Sequence, residues 1–240
     1  MVRPLVNRFS NAGQVANETA KQLFAFVSDR LKSQNRVDVA ITGGTVGIAT
    51  LAAASELDFN SLDLSRLHIW WGDERFVESE SPDRNAVQAN NAWLKKLDIP
   101  KENVHVFPAS DEALSLDEAA IEFGKHFGAQ SITFDLMLMG MGPDGHIASL
   151  FPGKSIGFED VPVVAEHDSP KPPPLRLSFS YGVINSADEI WFTVAGSDKA
   201  DAVSVVFGDD PQVLPAGQIQ GKEKTVWFID QTAGNLVWGC

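Results

Sequence analysis

The sequence predicts an α/β fold, built as a three-layer, doubly wound and mostly parallel sheet. Two observations support this prediction. Short runs recur along the chain that are nearly continuous in apolar residues, as strands buried on both faces of a parallel sheet are. Helix-like stretches separate these runs, which is the alternation typical of doubly wound folds. The predicted strands are Val37–Thr42, Leu67–Trp71, Val104–Phe107, Phe134–Met139, Ile190–Ala195 and Thr225–Ile229.

The stretches that separate these strands carry helical patterns. Apolar or small side chains recur every four residues from Val15 to Leu31 and form one stripe. Ser115 and Glu118 have the spacing of a capping box, which predicts a helix that begins there and runs through Phe127. The remaining predicted helices are Val46–Leu57, Ala86–Leu97 and Lys199–Phe207.

Length and composition fit one large α/β domain over residues 1–240. The chain has 44% apolar residues, enough for a substantial core, and a net charge of −13. Such a surface repels nucleic acid and anionic membranes, so neither is an expected partner. A small anionic substrate remains compatible, because fields from exposed charges fade over roughly 8 Å at physiological salt. The binding site would then have to supply its positive charge locally.

Cysteine usage and hydropathy suggest a cytoplasmic protein. Cys240 is the single cysteine, so neither an internal disulfide nor a CxxC metal site is possible. The first residues form no apolar signal stretch, and no apolar run is long enough for a membrane span. We find no HExxH or other histidine cluster, and we therefore expect no metal and no cofactor.

In doubly wound sheets, ligands bind beyond the carboxyl ends of the strands, so the residues that follow each strand are the candidates. The first such stretch contains Gly43, Gly44 and Thr45. Two glycines allow close approach of the backbone to a ligand, and the following helix offers free N–H groups to a phosphate. An ordinary Gly-Gly turn between strand and helix is an equally good interpretation of this stretch alone.

Charged residues follow two other strands. Asp73, Glu74 and Arg75 come directly after the second strand, where Arg75 is suited to face a phosphate or a developing oxyanion. A solvated charge cluster is the alternative. Lys199 follows the fifth strand at a helix start, where a cation is poorly placed for the helix dipole unless an anion binds there. An ordinary exposed lysine remains the other interpretation.

The segment from Gly140 to Gly153 is the strongest candidate for the chemical step. Its glycines and Pro143 predict a tightly shaped loop that places Asp144 two residues before His146. A carboxylate there is positioned to orient an imidazole, the side chain best suited to proton transfer near neutral pH. For the other four histidines, at positions 68, 105, 126 and 167, a structural or surface role is the better interpretation.

Two further patterns have competing interpretations. Ser169–Pro174 is proline-rich and stiff, and it is either a surface connector or a rigid segment that delivers Arg176 to the site. Gly140, Gly142 and Gly145 match GxGxxG, with Glu166 at the spacing of a ribose-binding acid. A dinucleotide site is disfavoured, because Asp144 would face the pyrophosphate and Pro152 interrupts any following helix. A serine or cysteine hydrolase is also disfavoured, since there is no GxSxG motif.

Together these motifs resemble the 6-phosphogluconolactonases, within the superfamily that includes glucosamine-6-phosphate deaminase. The resemblance spans nearly the whole chain, and it also includes Asn85, the prolines before Arg176, and Leu214-Pro215-Ala216. It implies a Rossmann-like fold. Deaminases carry a glutamate five residues after the histidine for ring opening, where this chain has Phe151. The lactonase branch is therefore favoured.

The resemblance implies hydrolysis of 6-phospho-D-glucono-1,5-lactone to 6-phosphogluconate in the oxidative pentose phosphate pathway. His146 would act as general base on water, with Asp144 orienting it and Arg75 stabilising the oxyanion or anchoring the phosphate. The remaining substrate contacts would come from Gly43, Gly44, Thr45, Asp73, Arg176 and Lys199. The expected partner is this small lactone, bound by a monomer. A deaminase-like enzyme and a non-catalytic sugar-phosphate sensor remain the alternatives.

Overall fold

The computed structural model describes residues 4–158 and 160–238, so Cys240 lies outside the described residues. In chain order the described strands are β1 Leu5–Phe9, β2 Val37–Ile41, β3 Leu67–Trp71, β4 Asp73–Arg75, β5 Leu136–Met139, β6 Val163–Glu166, β7 Arg176–Phe179, β8 Glu189–Val194 and β9 Lys224–Asp230. Six of them form a parallel sheet in the order β1-β9-β8-β5-β2-β3. The other three form a small antiparallel sheet in the order β4-β7-β6.

The α-helices of the described residues are α1 Ala12–Ser33, α2 Gly44–Ala54, α3 Asn85–Ala92, α4 Leu116–Gln130, α5 Tyr181–Ile184, α6 Ala200–Val206 and α7 Asn235–Trp238. The predicted stripe of α1 is buried from Val15 to Leu31. The capping box of α4 is present, with Ser115 and Glu118 each accepting from the other's backbone N–H. None of these helices combines the length and apolar character that crossing a membrane requires.

The α/β class and the mostly parallel sheet are confirmed. Strands β2 and β5 are buried at every position, which shows that other layers cover both faces of the sheet. Helix α1 packs beside α2 and against β8 and β9. Helix α4 packs against the small sheet, and its Phe123 and Phe127 contact Trp70 of β3 edge to face. The aromatic side chains thus join the two sheets into one core.

The prediction of a strand over Val104–Phe107 is wrong. Only an isolated bridge between Val104 and Ile69 forms there, with the N–H of His105 donating to the Ile69 carbonyl at 2.8 Å. Beyond it the carbonyls of Phe107 and Pro108 accept from the buried guanidinium of Arg84 and not from a neighbouring strand. The apolar side chains of this run serve the aromatic core, in which the Phe107 and Phe123 rings lie 4.1 Å apart.

The strands β1, β4, β6 and β7 were not predicted, and all of these except β6 lack a continuous apolar run. Strand β1 lies at the edge of the main sheet and is only partly buried, so its polar residues interrupt the pattern. In the small sheet, β4 consists of Asp73, Glu74 and Arg75, and β7 begins with Arg176. Charged residues are rare in strands. Here the antiparallel ladder places Arg75 directly opposite Arg176.

Candidate active site

A large cavity lies at the carboxyl edge of the parallel sheet, where doubly wound folds bind ligands. The strand order reverses between β2 and β5, because the chain continues outward from β2 to β3 but from β5 to β8 and β9 on the other side. A cavity of about 580 Å³ opens at this position. Its walls come from the residues after β2, β3, β5 and β8, as predicted from the sequence.

One end of the cavity is the start of α2. Gly43, Gly44 and Thr45 line it, and no side chain among the described residues caps this helix. Its first N–H groups therefore remain free for an anionic ligand. Gly43 has to be a glycine, because a Cβ there would lie 2.0 Å from Oδ1 of Asn85. The backbone can thus pack against Asn85 while it faces the cavity, the geometry expected of a phosphate cradle.

The triplet that follows β3 divides its charges between the cavity and the core. Asp73 and Arg75 line the cavity, whereas Glu74 is only 1% exposed and points into the protein. Its carboxylate accepts from the backbone N–H groups of Arg75, Asn85 and Ala86 at 2.7–2.9 Å. Burial raises the pKa of Glu74, although the charge of Arg84 and these N–H groups oppose the shift. Glu74 thus fixes both Arg75 and the start of α3.

The cavity wall carries positively charged side chains, although the protein as a whole is acidic. Arg75, Arg176 and Lys199 line it, as the sequence predicted. The Arg75 guanidinium donates to the Asp83 carbonyl at 2.5 Å, and the Lys199 ammonium lies 3.0 Å from the Asp198 carboxylate. Asp73 accepts from the Ser149 hydroxyl at 2.6 Å, which ties β4 to the loop after β5. The site therefore supplies local positive charge, which an anionic ligand needs in a protein of negative net charge.

His146 and Asp144 form a close pair beside the cavity. Nδ1 of His146 lies 2.5 Å from Oδ1 of Asp144, and His146 lines the cavity. Because Nδ1 donates its hydrogen to Asp144, Nε2 is the ring nitrogen that remains free to take a proton. The ring of Phe151 packs on the imidazole with 4.7 Å between centroids. The pair is thus oriented on one side by a carboxylate and supported on another by an apolar ring.

The loop backbone leaves room for this pair. A Cβ on Gly142 would lie 1.9 Å from Nδ1 of His146 and 2.5 Å from Oδ1 of Asp144. The Gly142 N–H donates to the His146 carbonyl at 2.9 Å, and the Ala216 N–H donates to the Gly145 carbonyl at 3.0 Å. The conformation of the loop is thus fixed from within and from the segment near the end of the chain.

The Asp144 carboxylate is stabilised in its charged form. Partial burial raises the pKa of Asp144, but the hydrogen bond and charge of His146 and the charge of Lys171 outweigh burial and hold that pKa well below its usual range. Asp144 is therefore an anion throughout the range in which an imidazole titrates. An anion beside Nδ1 is what a general-base histidine requires.

Hydrogen bonds join the proline-rich segment to Arg176. Arg176 lies in β7, 6% exposed, and its guanidinium donates to the carbonyls of Lys171, Pro172 and Pro173 at 3.0–3.2 Å. These hydrogen bonds hold Arg176 and the segment together, and Arg176 also lines the cavity. The residue that this arrangement brings into the cavity is Lys171, which the sequence analysis missed. Only its position between prolines marked it.

Two buried polar atoms at the cavity have no partner within the described residues. They are Oδ1 of Asn85 and the hydroxyl of Thr193 on β8. Both residues line the cavity and are at most 3% exposed. Thr193 was missed by the sequence analysis, because a threonine inside an apolar strand carries no motif. A buried polar atom without a partner costs free energy, and both atoms belong to residues of the cavity wall.

The disfavoured interpretations find no support in the structure. Among the described residues, no helix lies between Gly145 and β6, and Glu166 pairs with Lys154 at 2.7 Å. In residues 4–158 and 160–238, no group of three or more His, Cys, Asp or Glu side chains is arranged to hold a metal ion. His68, His105 and His126 form a hydrogen-bonded chain with 2.9 Å between ring nitrogens, outside the cavity lining. His167 pairs with Asp117 at the surface.

A doubly wound sheet with a histidine–carboxylate pair and an anion cradle at its switch point defines an enzyme class that acts on small phosphorylated substrates. The sequence matches the family of glucosamine-6-phosphate isomerases and 6-phosphogluconolactonases over residues 10–227. The chain belongs to this family. A 6-phosphogluconolactonase of Mycobacterium leprae is 35% identical over 244 residues, which covers 98% of each chain.

Solved structures agree with this assignment. A 6-phosphogluconolactonase from Thermotoga maritima has a TM-score of 0.86 and 26% identity, and the match covers 95% of this chain and 100% of the other. A monomeric glucosamine-6-phosphate deaminase has a TM-score of 0.79 at 20% identity, covering 97% of this chain and 99% of the other. The second match shows a shared fold alone. Sheet and topology are therefore common to both branches, and the choice between them depends on the site.

Proposed function

We propose that the protein hydrolyses 6-phospho-D-glucono-1,5-lactone to 6-phosphogluconate, as the names of its relatives suggest. The observation that carries the proposal is the His146–Asp144 pair, held at 2.5 Å beside a cavity whose other wall is the free start of α2. A lactone with a distant phosphate spans these two features. The cavity of about 580 Å³ has room for such a ligand and an attacking water.

In the proposed mechanism, Nε2 of His146 takes a proton from water while the water oxygen attacks the lactone carbonyl carbon. The carbonyl becomes a tetrahedral oxyanion. When it collapses, the bond to the ring oxygen breaks and His146 returns the proton to that oxygen. Asp144 stabilises the imidazolium between these steps. The product acid then loses its proton to water. General-base help of about 10²–10⁴-fold, added to positioning, suffices for an activated ester.

The phosphate is assigned to the cradle of Gly43, Gly44 and Thr45, together with Lys199. Arg75 and Arg176 add positive charge along the same wall, and Asp73 lies between them and Ser149. Phosphate at a helix start gains both from free N–H groups and from the helix dipole. Binding energy from this remote group then serves to hold the carbonyl against His146.

Phe151 supports the lactonase and opposes the deaminase alternative. It is 3% exposed and its ring lies against the His146 imidazole. An apolar ring at this position offers no group for proton transfer in sugar ring opening. The packing instead shields the base from bulk water on that side.

The proposal includes a monomer that acts in the cytoplasm and binds neither nucleic acid nor membrane. The charge of −13 and the single cysteine support it. Sedimentation would test the monomer directly. A molecular mass near twice the 26.0 kDa of one chain would contradict it.

The test follows disappearance of the lactone by coupling 6-phosphogluconate to its dehydrogenase, with the spontaneous rate subtracted. The proposal predicts turnover of the lactone and no release of ammonia from glucosamine 6-phosphate. Ammonia release would favour the deaminase. Tight binding of 6-phosphogluconate without turnover would favour a sensor.

A further inference from the structure

Lys171 reaches the base of the proposed reaction from a separate segment of the chain. Its ammonium lies 3.4 Å from Nδ1 of His146 and 3.8 Å from Oδ1 of Asp144. It also lines the cavity. Three ionisable side chains therefore meet at one point, where the proposed mechanism uses two.

The backbone around Lys171 is held in place by buried groups. The Ser169 hydroxyl accepts from the Lys171 N–H at 3.2 Å and donates to the Lys171 carbonyl at 2.9 Å. The Arg176 guanidinium donates to that same carbonyl at 3.1 Å. Ser169 and Arg176 are both 6% exposed. A lysine flanked by prolines and fixed in this way is placed by the fold, unlike a mobile surface lysine.

The contact between the Lys171 ammonium and Nδ1 of His146 is not a hydrogen bond. The short contact to Asp144 requires a hydrogen on Nδ1, so Nδ1 has no lone pair to accept from Lys171. The ammonium is therefore a second cation that shares the Asp144 carboxylate. A carboxylate beside an imidazole stabilises the imidazolium, and it therefore favours the protonated form of the base. A second cation on the same carboxylate opposes this effect.

We propose that Lys171 is a positioning residue that shares the Asp144 carboxylate with His146 and opposes protonation of the imidazole, so that His146 remains a free base. This inference deepens the proposed function and rests on it. Burial of Lys171 lowers the pKa of its ammonium, whereas the charge of Asp144 raises it. The group thus gains from the same carboxylate that orients the base.

The other charged groups around His146 are more remote. Lys154 lies behind Phe151, with its ammonium 6.0 Å from that ring. The remaining charged residues of the described cavity wall make no hydrogen bond or ion pair with the imidazole; they are Asp73, Arg75, Arg176, Asp198, Lys199 and Asp230. Among the described residues, Lys171 is thus the cation in contact with the pair.

The direct test is a pH titration of the His146 imidazole by NMR, with its signal assigned by comparison with His146→Gln. Lys171→Met should move the titration midpoint about one pH unit higher, the size of a Coulomb interaction over 3.4 Å screened as in water. Lys171→Arg should stay close to the wild type. Lys125→Met is the matched control, because it removes a cation from the exposed face of α4. A midpoint in Lys171→Met equal to that control would overturn the proposal.

The kinetic arm separates this role from a contact with substrate. In Lys171→Met, the acidic limb of kcat/KM against pH should move to higher pH by the same amount. A plateau reduced about 100-fold with an unmoved limb would overturn the proposal and place Lys171 on the oxyanion. If Lys171→Met does not fold, Lys171→Gln serves in both arms. The NMR arm needs no turnover, so a wild type without lactonase activity would refute the proposed function and leave this test decisive.

Discussion

Gly142 offers the sharpest test of how the loop positions the proposed base. In Gly142→Ala the new Cβ would lie 1.9 Å from Nδ1 of His146, and real Cβ contacts stay above 3.0 Å, so the ring has to retreat by about 1.1 Å (3.0 − 1.9). The same Cβ would lie 2.5 Å from Oδ1 of Asp144. The pair cannot keep its hydrogen bond. A misplacement of about 1 Å costs roughly 10²-fold in rate, so kcat should fall by about that factor.

The fold should survive this substitution. The backbone of Gly142 does not have a positive φ, so alanine is compatible with it. The His146 side chain is 16% exposed and has room to swing outward. We therefore expect a loss of only about 1 kcal/mol in the free energy of unfolding, at the low end for overpacking.

Gly128→Ala is the matched control, because a Cβ there meets no atom within 4 Å in the last turns of α4. It should retain full activity and gain up to about 1 kcal/mol from helix propensity. Coupled assays and thermal unfolding of both variants measure the two effects. Wild-type kcat in Gly142→Ala would refute the reasoning about the loop.

Two further predictions concern the phosphate cradle and the histidine chain. Lys199→Met should raise KM for the phosphorylated lactone about 10–100-fold, the value of a hydrogen bond to a charged group, and leave turnover of unphosphorylated glucono-1,5-lactone unchanged; equal losses on both lactones would contradict a phosphate contact. Burial, with the charges of His68, His126 and Arg36, lowers the pKa of His105 from 6.5 to about 3, so below pH 6.5 the unfolded chain binds a proton that the folded protein refuses. The free energy of unfolding should therefore fall with decreasing pH, by about 2 kcal/mol at pH 5. Measured by urea unfolding, His105→Gln should lose less of this free energy than wild type between pH 7 and pH 5. An equal loss in both proteins would contradict this assignment.

The parts of the fold that the sequence predicted are those with local signals. The strand from Val37 and the strand from Leu67 are nearly continuous apolar runs, and both were confirmed. The rule that ligands bind beyond such strands then placed Gly43 and His146 at one cavity. The prediction of a strand from Val104 was wrong. Arg84, which is distant in sequence, takes the carbonyls of Phe107 and Pro108 at the end of that run.

The parts of the site that escaped prediction depend on contacts through space. Asp73 and Glu74 are adjacent and alike in sequence, yet one faces the cavity and the other caps α3. Lys171 has no motif of its own, and its place beside His146 depends on the hydrogen bond from Arg176 to its carbonyl. Thr193 differs from its strand neighbours only by an unpaired hydroxyl that burial makes significant.

The central claim is that His146 activates water for attack on the lactone, and one rate measurement tests it most directly. Turnover of 6-phospho-D-glucono-1,5-lactone by His146→Ala is compared with wild type at neutral pH, with the spontaneous rate subtracted. We expect kcat to fall about 10²–10⁴-fold, the usual contribution of a general base, in a variant that still binds 6-phosphogluconate. Wild-type turnover by His146→Ala would contradict it.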